Sequence, residues 1–134
     1  MTDDRFLSPQ GWPRAKGYAH GITTRGRFVF VAGQVGWNPV TEQFERDDFA
    51  GQVEQALRNA MAVLRDAMAE PGHITRMTWY ITDKQAYLSS RAKIGEAYRN
   101  VLGKHFPAMT VVEVKSLMEE RAKVEIEVTA VVPE

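Results

Sequence analysis

Two carboxylates near the C-terminus, Glu125 and Glu127, are the side chains best placed in this sequence to do chemistry. Val124, Ile126, Val128, Ala130 and Val132 alternate there with Glu125, Glu127 and Thr129. This period of two predicts a strand with one apolar face and puts both carboxylates on the other. A carboxylate so placed has two readings. It is solvated or held in a structural ion pair, with Lys123 or with an arginine of another chain. Alternatively, it positions and deprotonates a water beside a bound small molecule. Spacing alone leaves both open, and structural ion pairs are the commoner case.

The remaining reactive groups form no familiar constellation. His20, His73 and His105 lie on separate segments without helical spacing, so no metal site is expected. His105 reads as a polar group at a helix C-terminus, and His20 matters only if its strand lines a pocket. The chain has no cysteine, which excludes disulfides and thiol catalysis. It lacks a Gly-x-Ser-x-Gly elbow and both glycine-rich phosphate loops, so no cofactor is expected. Arg58, Arg65, Arg76, Arg91, Lys93 and Arg99 read as solvated charges, as do Asp3, Asp4 and Ser8. Trp12, Trp37 and Trp79 are too scattered for a base-stacking platform. Trp79 reads as core or interface. Trp37 either walls a pocket or covers a sheet edge.

The elements that must position these groups follow from pattern. The 134 residues carry 17 basic and 17 acidic side chains, which argues against a nucleic-acid partner. No apolar run is long enough to span a membrane, and residues 1–10 lack the pattern of a secretory leader. A cytoplasmic protein of one domain, 1–134, is expected. Residues 1–17, with Pro9, Gly11, Pro13 and Gly17, read as an irregular arm. Strands are predicted at 18–24 and 28–32, joined as a hairpin. Asp47 or Asp48 caps a helix to about residue 69, stopped by Pro71-Gly72. A third strand follows at 77–81, a second helix at 88–102 ending at Gly103, and two strands after Phe106. The order is β-β-α-β-α-β-β, an α+β domain with two helices on one sheet face. The other face is half apolar and uncovered, which predicts a homo-oligomer.

Beside this reading stands a family resemblance. Gly17-Tyr18 with Gly21, Phe30-Val31-Ala32-Gly33-Gln34-Val35-Gly36 with Asn38-Pro39, Thr78-Trp79-Tyr80-Ile81-Thr82-Asp83, Phe106-Pro107-Ala108 through Val112-Glu113-Val114, and Val124-Glu125-Ile126-Glu127 occur in order over nearly the whole chain. In these the chain resembles the Rid (YjgF/YER057c/UK114) family of enamine/imine deaminases. The resemblance implies a chorismate-mutase-like fold, a homotrimer, and small-molecule pockets between subunits with no metal or cofactor. It implies a substrate pocket with Tyr18, Gly33, Met109 and Val111, where Glu125 and the Val111 carbonyl orient the hydrolytic water; Thr110, and Trp37 as a wall, complete the candidate substrate-binding residues. In the deaminating branch an arginine after Phe-Pro-Ala holds the substrate carboxylate; here that position is Met109. A helix asparagine of the family corresponds to Gly95. Loss of such a charge-assisted pair costs about 1.5–3 kcal/mol, or roughly 10- to 150-fold in affinity. The expected function is hydrolytic deamination of an enamine/imine-type metabolite other than the short 2-imino acids. The alternative is a non-catalytic metabolite-binding or regulatory member.

Overall fold

The computed structural model describes residues 5–134; Met1 to Asp4, with the Asp3-Asp4 pair, lie outside the described residues. The strands are β1 (Arg5–Leu7), β2 (Gly21–Thr23), β3 (Arg27–Val35), β4 (Ile74–Ile81), β5 (Ala108–Glu113) and β6 (Val124–Val132). The helices are α1 (Phe49–Asp66), α2 (Lys84–Ser89) and α3 (Arg91–Leu102), with a single 3-10 turn at Pro71–His73. The main sheet has the order β3-β6-β4-β5; β4 and β5 run parallel and the other pairs antiparallel. The mixed α+β architecture is the one the sequence predicts.

Strand parity sets the two faces. Met77, Trp79, Ile81, Ile126, Val128 and Ala130 enter one core with Val53, Leu57, Met61 and Leu64 of α1 and Ile94 and Tyr98 of α3. The spacing of these apolar residues is that of a helix stripe laid on a pleated surface. Asp48 caps α1, its Oδ2 accepting from the Gly51 N–H at 2.8 Å. Burial pushes the Asp48 carboxyl up, but that N–H and the Arg46 guanidinium outweigh it and hold it below the ordinary carboxylate value.

Four expectations need correction. The segment at 18–24 forms no hairpin with β3. Ala19 instead bridges Ala108, and its N–H donates to the Pro107 carbonyl at 2.9 Å, at the β5 edge of the sheet. One segment cannot pair with both edges of a four-stranded sheet, so β2 pairs with β1. Arg5–Leu7 of the arm is therefore a strand. Helix α1 ends at Asp66, before Pro71-Gly72. The Met68 N–H donates to Arg65 and the Ala69 N–H to Leu64, with Met68 at φ 59°. Glycine usually signals such a left-handed stop, and methionine gives no such signal. The second helix is two: Asp83 caps α2, and the Ser89 hydroxyl donates back to the Gln85 carbonyl before the break at Ser90. The two strands predicted after Phe106 are both present, with β4 between them.

Tyr98 provides a pH test of the packing. It is buried, its hydroxyl donates to the His105 carbonyl, and its ring stacks on Phe106. Burial pushes the hydroxyl well above the ordinary tyrosine value of 10.0. A raised folded-state value means the contribution is complete below the unfolded value. It is lost as pH rises past 10.0, where the unfolded chain ionises first. Denaturant unfolding of Tyr98→Phe should show a loss of about 1–3 kcal/mol at neutral pH, from the orphaned carbonyl. Its alkaline decline should be shallower than that of the wild type.

Candidate functional site

Between α3 and the sheet lies a cavity of about 420 Å³. Its position follows from the register. Trp79 of β4 pairs with Val111 of β5, and Met77 pairs with Met109, so Met109 and Val111 share the helix-facing side with Trp79. The Ala19–Pro107 hydrogen bond brings Gly17 and Tyr18 to the same place, with Gly17 at φ 77°, a left-handed value suited to glycine. Tyr87 of α2 and Ile94, Gly95 and Tyr98 of α3 complete the walls, and Lys16, Arg91 and Arg99 bring three cations to the lining. Among the described residues no aspartate or glutamate lines it. Trp79 is 1% exposed and its indole N–H has no acceptor. An unpaired buried donor costs about 1–3 kcal/mol. Tyr18 and Lys16 also border a neighbouring hollow of about 640 Å³ that includes His20 and His105.

Glu125 stands on the opposite side of the sheet. Its register partner on β4 is Tyr80, and Tyr80 in turn pairs with Val112. This is the open face, where Phe28 is 57% and Phe30 75% exposed. The β3–β6 pairing slips between Val31 and Gln34, where three steps along β3 meet two along β6. The bulge brings Gly33 against Glu125: a Cβ built at Gly33 would lie 2.9 Å from Glu125 Cγ and Cδ and closer still to Oε2. The missing side chain thus makes room for the carboxylate. Glu127 has a different role, accepting the Tyr80 hydroxyl at 2.6 Å. That bond, followed by desolvation and charge repulsion from Glu127 and Glu125, raises the Tyr80 hydroxyl above its ordinary value.

Gly33→Ala should separate position from stability. The added methyl meets a flexible carboxylate side chain and no backbone, so stability should change by less than about 1 kcal/mol. On the expectation that Glu125 acts on a bound substrate, a shift of the carboxylate by about 1 Å should lower turnover by roughly 10²-fold. Thermal melting together with an ammonia-release assay reads both.

The sequence-derived site therefore falls on two faces within one chain. Tyr18, Met109 and Val111 line the cavity. Glu125 and Gly33 lie together on the open face, and Thr110 borders a hollow of about 520 Å³ there with Arg76, Thr78, Tyr80 and Glu127. Trp37 packs its ring on Phe44 at 5.7 Å, and its carbonyl accepts from Asn59; it lines none of these three hollows. His20 sits edge-on between Trp12 and Tyr18. The His105 Nε2–H donates to the Ile74 carbonyl at 2.7 Å, a tie between segments in place of the expected helix cap. Among the described residues no group of three His, Cys, Asp or Glu is arranged to hold a metal ion, and no helix is long and apolar enough to cross a membrane. Sequence reasoning missed Lys16, Arg91, Arg99, Tyr87 and Tyr98 as cavity residues. A signal existed for three of them: Arg91, Ile94, Gly95, Tyr98 and Arg99 fall on one helix face by spacing.

A mixed four-stranded sheet with helices on one face and a cavity between α3 and the sheet defines a small two-layer α+β domain. Its family is shown by comparison. The sequence model of the family described as Endoribonuclease L-PSP matches residues 12–132, and the chain belongs to that family, the Rid proteins. It is 31% identical over 131 residues to the 2-iminobutanoate/2-iminopropanoate deaminase of Escherichia coli K12, covering 95% of this chain and 97% of the relative. The crystal structure of the Rid-family protein YyfB of Yersinia pestis is similar with a TM-score of 0.85 and 28% identity, over 97% of this chain and 99% of that one. The structure of E. coli TdcF with bound serine has a TM-score of 0.68 and 32% identity, over 96% and 98% of the two chains.

Proposed function

We propose that the protein is a cytoplasmic homotrimer that deaminates an enamine- or imine-type metabolite, other than the short 2-imino acids, in pockets between subunits. The observation that carries the reading is Glu125: a half-buried carboxylate on an otherwise uncovered sheet face, with Gly33 kept free of a side chain beside it. The exposed Phe28 and Phe30 favour packing of that face against further copies. Packing of this kind would join the Glu125 face of one subunit to the Met109 edge of the next, two halves that one chain holds apart. In the reaction the Glu125 carboxylate takes a proton from water, and the water oxygen bonds to the imine carbon. The proton passes to nitrogen as the C=N π bond opens, giving a carbinolamine; its hydroxyl proton is then transferred to the amine, and the C–N bond breaks to leave a carbonyl compound and ammonia. The deaminase name of the E. coli relative supports the reaction class.

Met109 favours a second reading, a metabolite-binding or regulatory protein, because methionine cannot replace a bidentate guanidinium. One assay separates them. Short 2-imino acids generated in situ and larger imines are offered, and ammonia release is followed. Turnover of a larger imine supports the deaminase. Ligand binding without turnover of any candidate supports the binding protein. A monomeric mass at micromolar concentration by light scattering would overturn the shared pocket.

A further inference from the structure

We infer that α3 carries an anion-binding site, in which Arg99, assisted by Arg91, holds a carboxylate on a ligand carrying an aromatic or other planar apolar group. The inference rests on the reading that the cavity beside Met109 is the substrate-binding half of the proposed site.

Three observations meet here. Arg91, Gly95 and Arg99 are spaced four apart, on one stripe of α3. Helical side chains lean toward the N-terminus, and Arg99 does so: a Cβ built at Gly95 would lie 3.2 Å from Arg99 Nη1. The guanidinium lies back over Gly95, in space that a longer side chain there would take, and both residues line the cavity. Second, the cations are uncompensated. Arg46, Arg58 and Arg121 pair with Asp48, Glu54 and Asp47. Among the described residues no carboxylate pairs with Lys16, Arg91 or Arg99, and none lines the cavity. Positive charge gathered at a partly apolar hollow attracts an anion more strongly than the same charge spread over the surface. Third, the walls suit a flat apolar body. Trp79, Tyr87 and Tyr98 face the cavity beside Met109, whose polarisable thioether packs well against aromatic rings. The Trp79 N–H is a buried donor without an acceptor in that wall.

The test is calorimetric titration with 3-phenylpropanoate and its uncharged amide, two stable compounds that differ in charge but not shape. The wild type should bind the carboxylate at least about 10-fold more tightly than the amide. Arg99→Gln should lose roughly 10- to 150-fold of the carboxylate affinity and leave the amide unchanged. Arg99→Lys should recover part of it, as a point charge without the fork. Arg58→Gln, which removes a cation paired with Glu54 away from the cavity, should bind both compounds like the wild type. Equal binding of acid and amide, undiminished binding by Arg99→Gln, or no binding of the carboxylate by the wild type would each overturn the inference. If instead the carboxylate binds and depends on Arg99 while no imine is turned over, the inference stands and the deaminase reading falls.

Discussion

Glu125→Ala is expected to lower ammonia release by about 10²–10⁴-fold, the range for removal of a positioned general base, while leaving the fold intact. The fold should survive because no side-chain hydrogen bond or ion pair of Glu125 is among those of the described residues. Truncation therefore orphans no partner, and it relieves the close approach at Gly33. Glu125→Gln keeps the shape and should lose nearly as much activity, since an amide cannot take the proton. The control is two residues away on the same face. Glu127→Gln weakens the bond from the Tyr80 hydroxyl and should change turnover by less than about 5-fold, roughly 1 kcal/mol of barrier. Steady-state ammonia release from the best imine decides the matter. Turnover by Glu125→Ala within a factor of about two of the wild type would remove Glu125 from the chemistry.

The largest stability effect should come from Gln52→Leu. Gln52 has 0% exposure and joins three backbone groups: its Nε2 donates to the Arg46 and Arg121 carbonyls, each at 3.1 Å, and its Oε1 accepts the Lys123 N–H at 2.8 Å. Leucine fills the space but leaves all three without a partner. Each such loss costs about 1–3 kcal/mol and the three are coupled, so a total of about 3–5 kcal/mol is expected. That is a large part of the roughly 5–15 kcal/mol that holds a domain together. Urea unfolding should show a lower midpoint with an unchanged slope. The site should feel it too, because Lys123 leads into β6 two residues before Glu125. Turnover should fall even at temperatures where the variant is fully folded. Gly36 belongs to the same junction: a Cβ there would lie 2.6 Å from Gln52 Cα, so the chain passes α1 at glycine distance.

Much of this arrangement is legible in the sequence. The alternation from Val124 to Val132 settles which residues of β6 face the core, because side-chain direction in a strand depends only on parity. The apolar stripe of α1 and its Asp48 cap are equally local. The ordered motifs from Gly17 to Glu127 suffice to place the chain in its family. The arginines of α3 were hidden for a different reason. Arg91 and Arg99 are solvent-exposed, as a charged helix face predicts, and only the strand and loop opposite them decide that they also border a cavity.

By itself, then, the sequence determined β3 to β6 and the long helix α1, their apolar faces and the family, since each depends on residues close in the chain. Only the tertiary structure decided which edges meet. Ala19 bonds Pro107 in place of β3, β4 separates β5 from β6, and the bulge at Ala32-Gly33 brings a bare backbone under Glu125. Those pairings depend on closing the whole sheet at once, where one segment's gain excludes another's. They put Glu125 on one side of the sheet and Met109, Trp79 and Arg99 on the other.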